Sequence, residues 1–226
     1  HECAKQSWSV EVEEHVAVHF IGSLRINNYE EDNPEKAAKL VCEFARKSRI
    51  EFIEWCRCLD GNFVIIVETP PYIFAVVDLV RSIPLYYRES GASIEFATRA
   101  NLLIQEPFLI SETAVAEICA AGFTSADCTI FQDVKSVSAG SALIIADGSS
   151  ELVPLNFFVP SSNQFGSSSS SSYQQRLTDV FDAVFSNLTA SLNGRQACVP
   201  VSAGLDSRLV LSGLLKHGHQ NILAYS

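Results

Sequence analysis

Ser202-Ala203-Gly204-Leu205-Asp206-Ser207 is the segment of this chain best suited to chemistry. It follows a short apolar run, Ala197 to Val201, and precedes a stretch with helical apolar spacing, Arg208 to His217, that stops at Gly218. A strand feeding a small-residue loop that opens a helix aims backbone N–H groups and the positive end of the helix dipole at one point, so anionic phosphate is the expected guest. Ser202 and Ser207 can donate hydroxyl hydrogen bonds, Gly204 admits close backbone approach, and Asp206 offers a carboxylate to a magnesium ion bridging phosphates. The loop is not of the Walker A type, which closes on Gly-Lys-Ser/Thr. On these residues alone, a plain strand-to-helix turn capped by Asp and Ser explains the pattern equally well.

Other reactive side chains read more plainly. The seven cysteines, Cys3, Cys42, Cys56, Cys58, Cys119, Cys128 and Cys198, are odd in number and mostly embedded in apolar runs. That suits buried free thiols better than a disulfide framework. Cys56-Arg57-Cys58 is too tight for a zinc knuckle and has no second pair, so no metal is expected there. His15 and His19 alternate along one strand face and His217 and His219 sit at a helix end, positions typical of surface or capping groups. Asn187-Leu188-Thr189 is a glycosylation triplet inside a helical pattern, and chance accounts for it.

The elements that must position the loop divide the chain in two. With 226 residues and 47% hydrophobic content, it lies between one domain and two and can bury a core. A strand is expected at Val16 to Gly22, a helix at Pro34 to Arg46, and a hairpin from Asn62 to Val67 and Tyr72 to Val77 around Thr69-Pro70-Pro71. Further strands are expected around Ser93 to Thr98, near Ser136, and at Ala142 to Ala146 before the Asp147-Gly148 turn. A helix from Glu112 to Ala121 sits behind a capping Ser111. The serine-rich stretch 161–172 cannot bury apolar surface and reads as a linker. Beyond it, Tyr173 to Leu192 has amphipathic helical spacing, and Ile222 to Ser226 reads as a second strand after the loop.

Bulk properties narrow the partners. The formal charge of -10 argues against nucleic acid or an anionic membrane, which require a basic face. No apolar run approaches the roughly 20 residues that span a bilayer, and the first residues are acidic without an apolar signal region, so a cytoplasmic address is expected.

Ser-Ala-Gly-Leu-Asp-Ser resembles the Ser-Gly-Gly-x-Asp-Ser signature of PP-loop ATP pyrophosphatases. Four upstream segments, in order, resemble the amidotransferase domain of the asparagine synthetase family: LDGNFVIIV from Leu59, VVDLVRSIPLYY from Val76, EFATRANLL from Glu95, and TIFQDVKSVSAGSALII from Thr129. The resemblance implies an α+β, Ntn-hydrolase-like sandwich of two antiparallel sheets with helices over 1–160, a class II glutamine amidotransferase type. It implies the start of an α/β PP-loop domain over 173–226. It also implies ATP and magnesium as cofactors, with Ser202, Ala203, Gly204, Leu205, Asp206 and Ser207 at the pyrophosphate end and Asp206 toward the metal. In such enzymes a carboxylate attacks the α-phosphate of ATP, pyrophosphate leaves, and ammonia or an amine converts the acyl adenylate to an amide.

The chain departs from the family pattern at the glutaminase site. Family members that hydrolyse glutamine use an N-terminal cysteine whose α-amino group helps activate the thiol, and Cys3 could serve only after removal of His1 and Glu2. Where the family has Phe-Asn-Gly-Glu, this chain has Phe20-Ile21-Gly22-Ser23, and isoleucine cannot donate to an oxyanion. The family's Arg-Asp-x-x-Gly becomes Val77-Asp78-Leu79-Val80-Arg81. In the loop, Ala203 replaces a glycine, and a Cβ at a left-handed position would cost about 1–2 kcal/mol. The leading expectation is an ATP-dependent amide-forming ligase without its own glutaminase. A non-catalytic scaffold and an ordinary glutamine-hydrolysing asparagine synthetase are the alternatives.

Overall fold

The computed structural model describes residues 9–13, 15–26, 29–31, 33–91, 93–156 and 170–226. The chain separates into two compact units, His1–Phe158 and Val159–Ser226.

Unit 1 is built on long apolar strands. In order it contains β1 (Ser9–Glu13), β2 (Val16–Ile26), β3 (Tyr29–Glu31), α1 (Pro34–Ala45), α2 (Arg49–Cys56), β4 (Asp60–Thr69), β5 (Tyr72–Val77), β6 (Tyr86–Ser90), β7 (Ser93–Ala97), α3 (Glu112–Ala121), β8 (Lys135–Ser136), β9 (Ser141–Ala146) and β10 (Ser149–Pro154). A seven-stranded sheet has the order β1-β2-β4-β5-β9-β10 with β3 also on β2, and a three-stranded sheet has the order β7-β6-β8. Every pairing in both sheets is antiparallel. The unit is therefore a mixed α and β fold of antiparallel sheets.

Side chains alternate across a strand, so the large sheet has two faces to bury. One face sends Phe20, Phe63, Ile65 and Phe74 against Val41 of α1 and Phe52 of α2. The other sends Ile21, Val64, Val77 and Leu143 against Leu85 and Tyr87. Coverage on both sides explains why β4 and β5 read as continuous apolar runs rather than alternating ones. Each large side chain removed from water this way contributes about 1.5–3 kcal/mol.

Local signals set the ends of these elements. Asn33 Oδ1 accepts from the backbone N–H of Glu35 and Lys36 ahead of Pro34, and Ser111 Oγ accepts from Ala114 N. Gly122, at φ 85°, ends α3 in the left-handed conformation. The β9–β10 hairpin turns through Asp147 and Gly148 at φ 51° and 73°. The helix α2 was not anticipated from the sequence, although Ser48 and Glu51 form a reciprocal capping box at its start.

Unit 2 contains α4 (Ser170–Leu192), β11 (Ala197–Pro200), α5 (Leu205–Lys216) and β12 (Ile222–Tyr225), with β11 and β12 parallel. Two expected boundaries move. The α4 helix begins at Ser170, so the last serines of the expected linker are helical, while 161–169 lie outside the described residues. The α5 helix begins at Leu205 rather than Arg208, because extended Gly204 is its N-cap.

Ala197, Val199 and Leu214 form the small core of this unit. Gly213 lets α5 approach α4, since a Cβ there would lie 2.4 Å from the Phe185 ring. Asp182 on α4 joins Lys216 and His217 on α5, and hydrogen bonds from those two side chains hold its carboxyl below the usual range. Of the apolar residues in the α4 pattern, Phe185 is buried, whereas Leu177, Val180 and Val184 are exposed.

The six described cysteines are free thiols. Burial is narrower than expected: Cys42 and Cys56 are enclosed, and Cys58, Cys119, Cys128 and Cys198 are exposed. Cys3 lies outside the described residues. Among the described residues, no helix is long and apolar enough to cross a membrane.

Candidate functional site

The loop after β11 is held open by its own serines. Val201 N donates to Tyr225 O at 2.7 Å, which keeps the chain beside β12 up to the point where it turns away. Ser202 N then donates to Ser207 Oγ at 3.0 Å, and the two serine hydroxyls meet at 3.2 Å. Gly204 N donates to Ser202 Oγ at 3.2 Å. These contacts clasp the two ends of the hexapeptide and leave its middle exposed, with Leu205 at 80% of full exposure.

No side chain caps α5 at Gly204. The first N–H groups of a helix lack intrahelical acceptors, so the uncapped end presents donors and a partial positive charge to solvent. Asp206 lies in the first turn, exposed beside those donors. The arrangement can receive an anion on backbone N–H groups and place one carboxylate next to it.

One expectation about this loop is corrected. Ala203 is not among the residues with positive φ, so its Cβ carries no left-handed penalty. Gly204 has φ −70°, and a Cβ there would lie 3.2 Å from Ser202 Oγ, so what it provides is space beside that hydroxyl rather than unusual backbone geometry. Sequence reading treated Ser202 and Ser207 as separate phosphate donors and did not foresee their mutual hydrogen bond. A spacing that brackets one loop between strand end and first helical turn was the available signal.

In unit 1, the segment expected to be an eroded glutamine site is packed as structure. Ile21 is buried opposite Val64 in the inter-sheet core. Asp78 is buried at 2% exposure, and its carboxylate accepts from Phe63 N, Val80 N, Ser82 N and Ser82 Oγ. Ser82 Oγ also reaches Asn62 Oδ1 at 2.9 Å. The histidines divide: His15 is exposed, His19 meets Glu68, His217 meets Asp182, and buried His219 leaves Nε2 unpartnered. Among the described residues, no group of three or more His, Cys, Asp or Glu could hold a metal ion.

No family model matches the chain, and no curated protein matches it. Among solved structures it is similar to glutamine phosphoribosylpyrophosphate amidotransferase from B. subtilis complexed with ADP and GMP, at TM-score 0.39 and 11% identity over 97% of this chain and 48% of that one. A structure described as the allosteric regulatory enzyme of purine biosynthesis matches at TM-score 0.39 and 12% identity, over 98% of this chain and 46% of that one. A stage II sporulation E family protein from Thermanaerovibrio acidaminovorans matches at TM-score 0.21 and 10% identity, over 97% of this chain and 100% of that one. The chain thus spans about half the length of the first two. Likenesses this distant carry no conclusion about activity.

Arg81, standing where the resembling family has glycine, has φ 54° and lies over the Tyr86 ring at 6.0 Å. A left-handed backbone at a residue with a Cβ costs about 1–2 kcal/mol. Both Arg81→Gly and Arg81→Ala remove the guanidinium, so they differ mainly in backbone freedom. Arg81→Gly should be the more stable of the two by about 1 kcal/mol, the reverse of the usual order. Urea midpoints of the two variants measure this, and an Ala variant as stable as the Gly variant would show that the left-handed turn is not kept in solution.

Proposed function

We propose that this chain belongs to an asparagine-synthetase-like, ATP-dependent ligase that adenylates a carboxylate and passes the acyl group to ammonia or an amine. On this reading, unit 1 is an Ntn-hydrolase-like amidotransferase-type domain without a working glutaminase, and unit 2 begins a PP-loop domain. The observation that carries the proposal is the clasped loop between β11 and uncapped α5, ending a parallel strand pair.

The loop's chemistry follows from its geometry. Backbone N–H groups at the start of α5, with the Ser202 and Ser207 hydroxyls, would hold the pyrophosphate end of ATP and stabilise charge that grows there as the α-phosphate is attacked. Asp206 is the single carboxylate of the loop, so a magnesium ion would take most of its oxygen ligands from phosphates and water. Held by Asp206, it would supply positive charge toward the phosphates. Holding the nucleotide in line for attack is the loop's other contribution.

ATP–pyrophosphate exchange on the full-length protein, with a panel of carboxylates, tests the proposal. Asp206→Ala should lower exchange by about 100-fold or more, in the range seen when one preorganised charge-stabilising group is removed. Absence of nucleotide binding at millimolar ATP and magnesium would sink the ligase reading. Glutamate release from glutamine that disappears with Cys3→Ala would overturn the account of unit 1.

A further inference from the structure

At one end of the unit 1 sandwich the two sheets part. On the large sheet, His19 lies opposite Ile66, Glu68 opposite Ile73, and Ile73 opposite Ile145, all on the face that carries Ile21 and Val64 into the inter-sheet core. On the small sheet, Tyr87 lies opposite Phe96 and Glu89 opposite Ile94, so these four share its inner face. Moving from Ile21 to His19 along β2, and from Val64 to Glu68 along β4, the inward side chains change from packed aliphatic to polar.

Two adjoining clefts of about 330 and 300 Å³ open there, with Glu68 and Phe96 in the walls of both. Each reaches the lower end of the range for small-molecule sites. Glu68 enters from the large sheet and Glu89 from the small one, while Ile73, Ile94, Phe96 and Ile145 form the apolar walls. No Lys or Arg lines either cleft among the described residues. His19 Nε2 lies 3.2 Å from Glu68 Oε1 and anchors that carboxylate at the opening. Deeper in the inter-sheet core, the Tyr87 hydroxyl is pushed up to about 12 by burial first and then by the Asp127 and Glu89 charges.

Charge and shape together select the ligand class. An anion is repelled by two carboxylates from opposite walls, and a purely apolar molecule gains nothing from either, Glu68 already being held by His19. An organic cation is attracted by both, with its charge toward Glu68 and Glu89 and its hydrocarbon body against the isoleucines and Phe96. The geometry points to a binding site for an organic ammonium ion, an amine with an apolar body, in the cleft between the two sheets of unit 1. The site lies toward the opposite end of β2 and β4 from Gly22 and Asp78, and its ligand does not depend on the nucleotide loop.

Titration of the whole chain with phenethylammonium, followed by NMR, tests this against 2-phenylethanol, the neutral molecule of nearly the same shape. The ammonium should give saturable shifts at Ile73, Ile94, Phe96 and Ile145, and the alcohol should bind about tenfold more weakly or worse. Glu68→Gln with Glu89→Gln should remove that preference while the far-UV circular dichroism stays unchanged. Equal binding of amine and alcohol to the unsubstituted chain, or no saturable shift below about 10 mM ammonium, would overturn the proposal. The amine and alcohol are compared on the unsubstituted chain, so that comparison decides the matter even if the double substitution impairs folding.

Discussion

Gly22→Ala should prevent unit 1 from folding, at a cost above about 4 kcal/mol, which places it among the rare large effects of single substitutions. Gly22 has φ 111°, and a Cβ there would lie 1.9 Å from the carbonyl oxygen of Asn62, 2.9 Å from its carbon and 3.0 Å from Phe63 Cα. Every one of these atoms is backbone, so no rotamer change relieves the overlap. Relief requires β2 and β4 to separate where Ile21 pairs with Val64 and Leu24 with Gly61, the middle of the longest pairing in the large sheet. Gly61, at φ 124° with a Cβ 2.4 Å from Ser23 O, meets the same constraint from the other strand. The control is Gly91→Ala, where φ is 61° but nothing lies within 4 Å of the added carbon. That variant has the left-handed penalty without the collision and should lose only about 1–2 kcal/mol. Soluble yield and urea unfolding of the pair separate the two causes. If Gly22→Ala unfolds at the same urea concentration as Gly91→Ala, the strands do not approach as closely as described.

The same contrast between backbone constraint and local signal explains what the sequence made legible. Elements with sharp punctuation were readable: Pro34 at the start of α1, Ser111 before α3, Pro70-Pro71 between β4 and β5, and Asp147-Gly148 after β9. Each sets a boundary through a local hydrogen bond or a fixed φ, and local chemistry is what a sequence displays. The α2 helix escaped notice because its apolar residues are not on one stripe. Phe52, Ile53 and Cys56 are buried while Ile50 is 73% exposed. The edge strands β1 and β3 depend on tertiary pairing, and no short-range signal announces it.

At the candidate nucleotide site, residue types and order were legible but conformation was not. Ala203 was expected to occupy a strained position, yet it does not have a positive φ. The serine clasp takes up the turn, so no glycine is needed there for its φ. Arg81 is the converse, since it adopts a left-handed backbone although it carries a Cβ. In both cases the turn is closed by hydrogen bonds between residues two to five apart, which a residue-by-residue comparison does not contain.

Asp78→Ala should cost about 3–5 kcal/mol, because several enclosed donors lose their acceptor at once. The Asp78 carboxylate accepts from Phe63 N at 3.2 Å, Val80 N at 3.1 Å, Ser82 N at 3.0 Å and Ser82 Oγ at 3.1 Å. Its own carbonyl accepts from Gly140 N at 2.9 Å and Arg81 N at 3.0 Å. One residue therefore ties the end of β5 to β4, to the turn that begins β6, and to the start of β9. Truncation leaves three backbone donors short of an acceptor in a part-buried setting, each worth about 1–3 kcal/mol and not additive. Asp78→Asn keeps the shape and one acceptor but turns an amide NH₂ toward backbone N–H groups, so it should lose about 2 kcal/mol. Ser82→Ala removes only the hydroxyl shared with Asn62 and should lose about 1 kcal/mol. Urea unfolding should rank the three in that order. The ranking also bears on chemistry, because a carboxylate whose oxygens are taken up by its own turn has little left to offer a substrate. Were Asp78→Ala to lose less than about 1 kcal/mol, those hydrogen bonds would not be holding the fold, and Asp78 would become a ligand-facing carboxylate in unit 1.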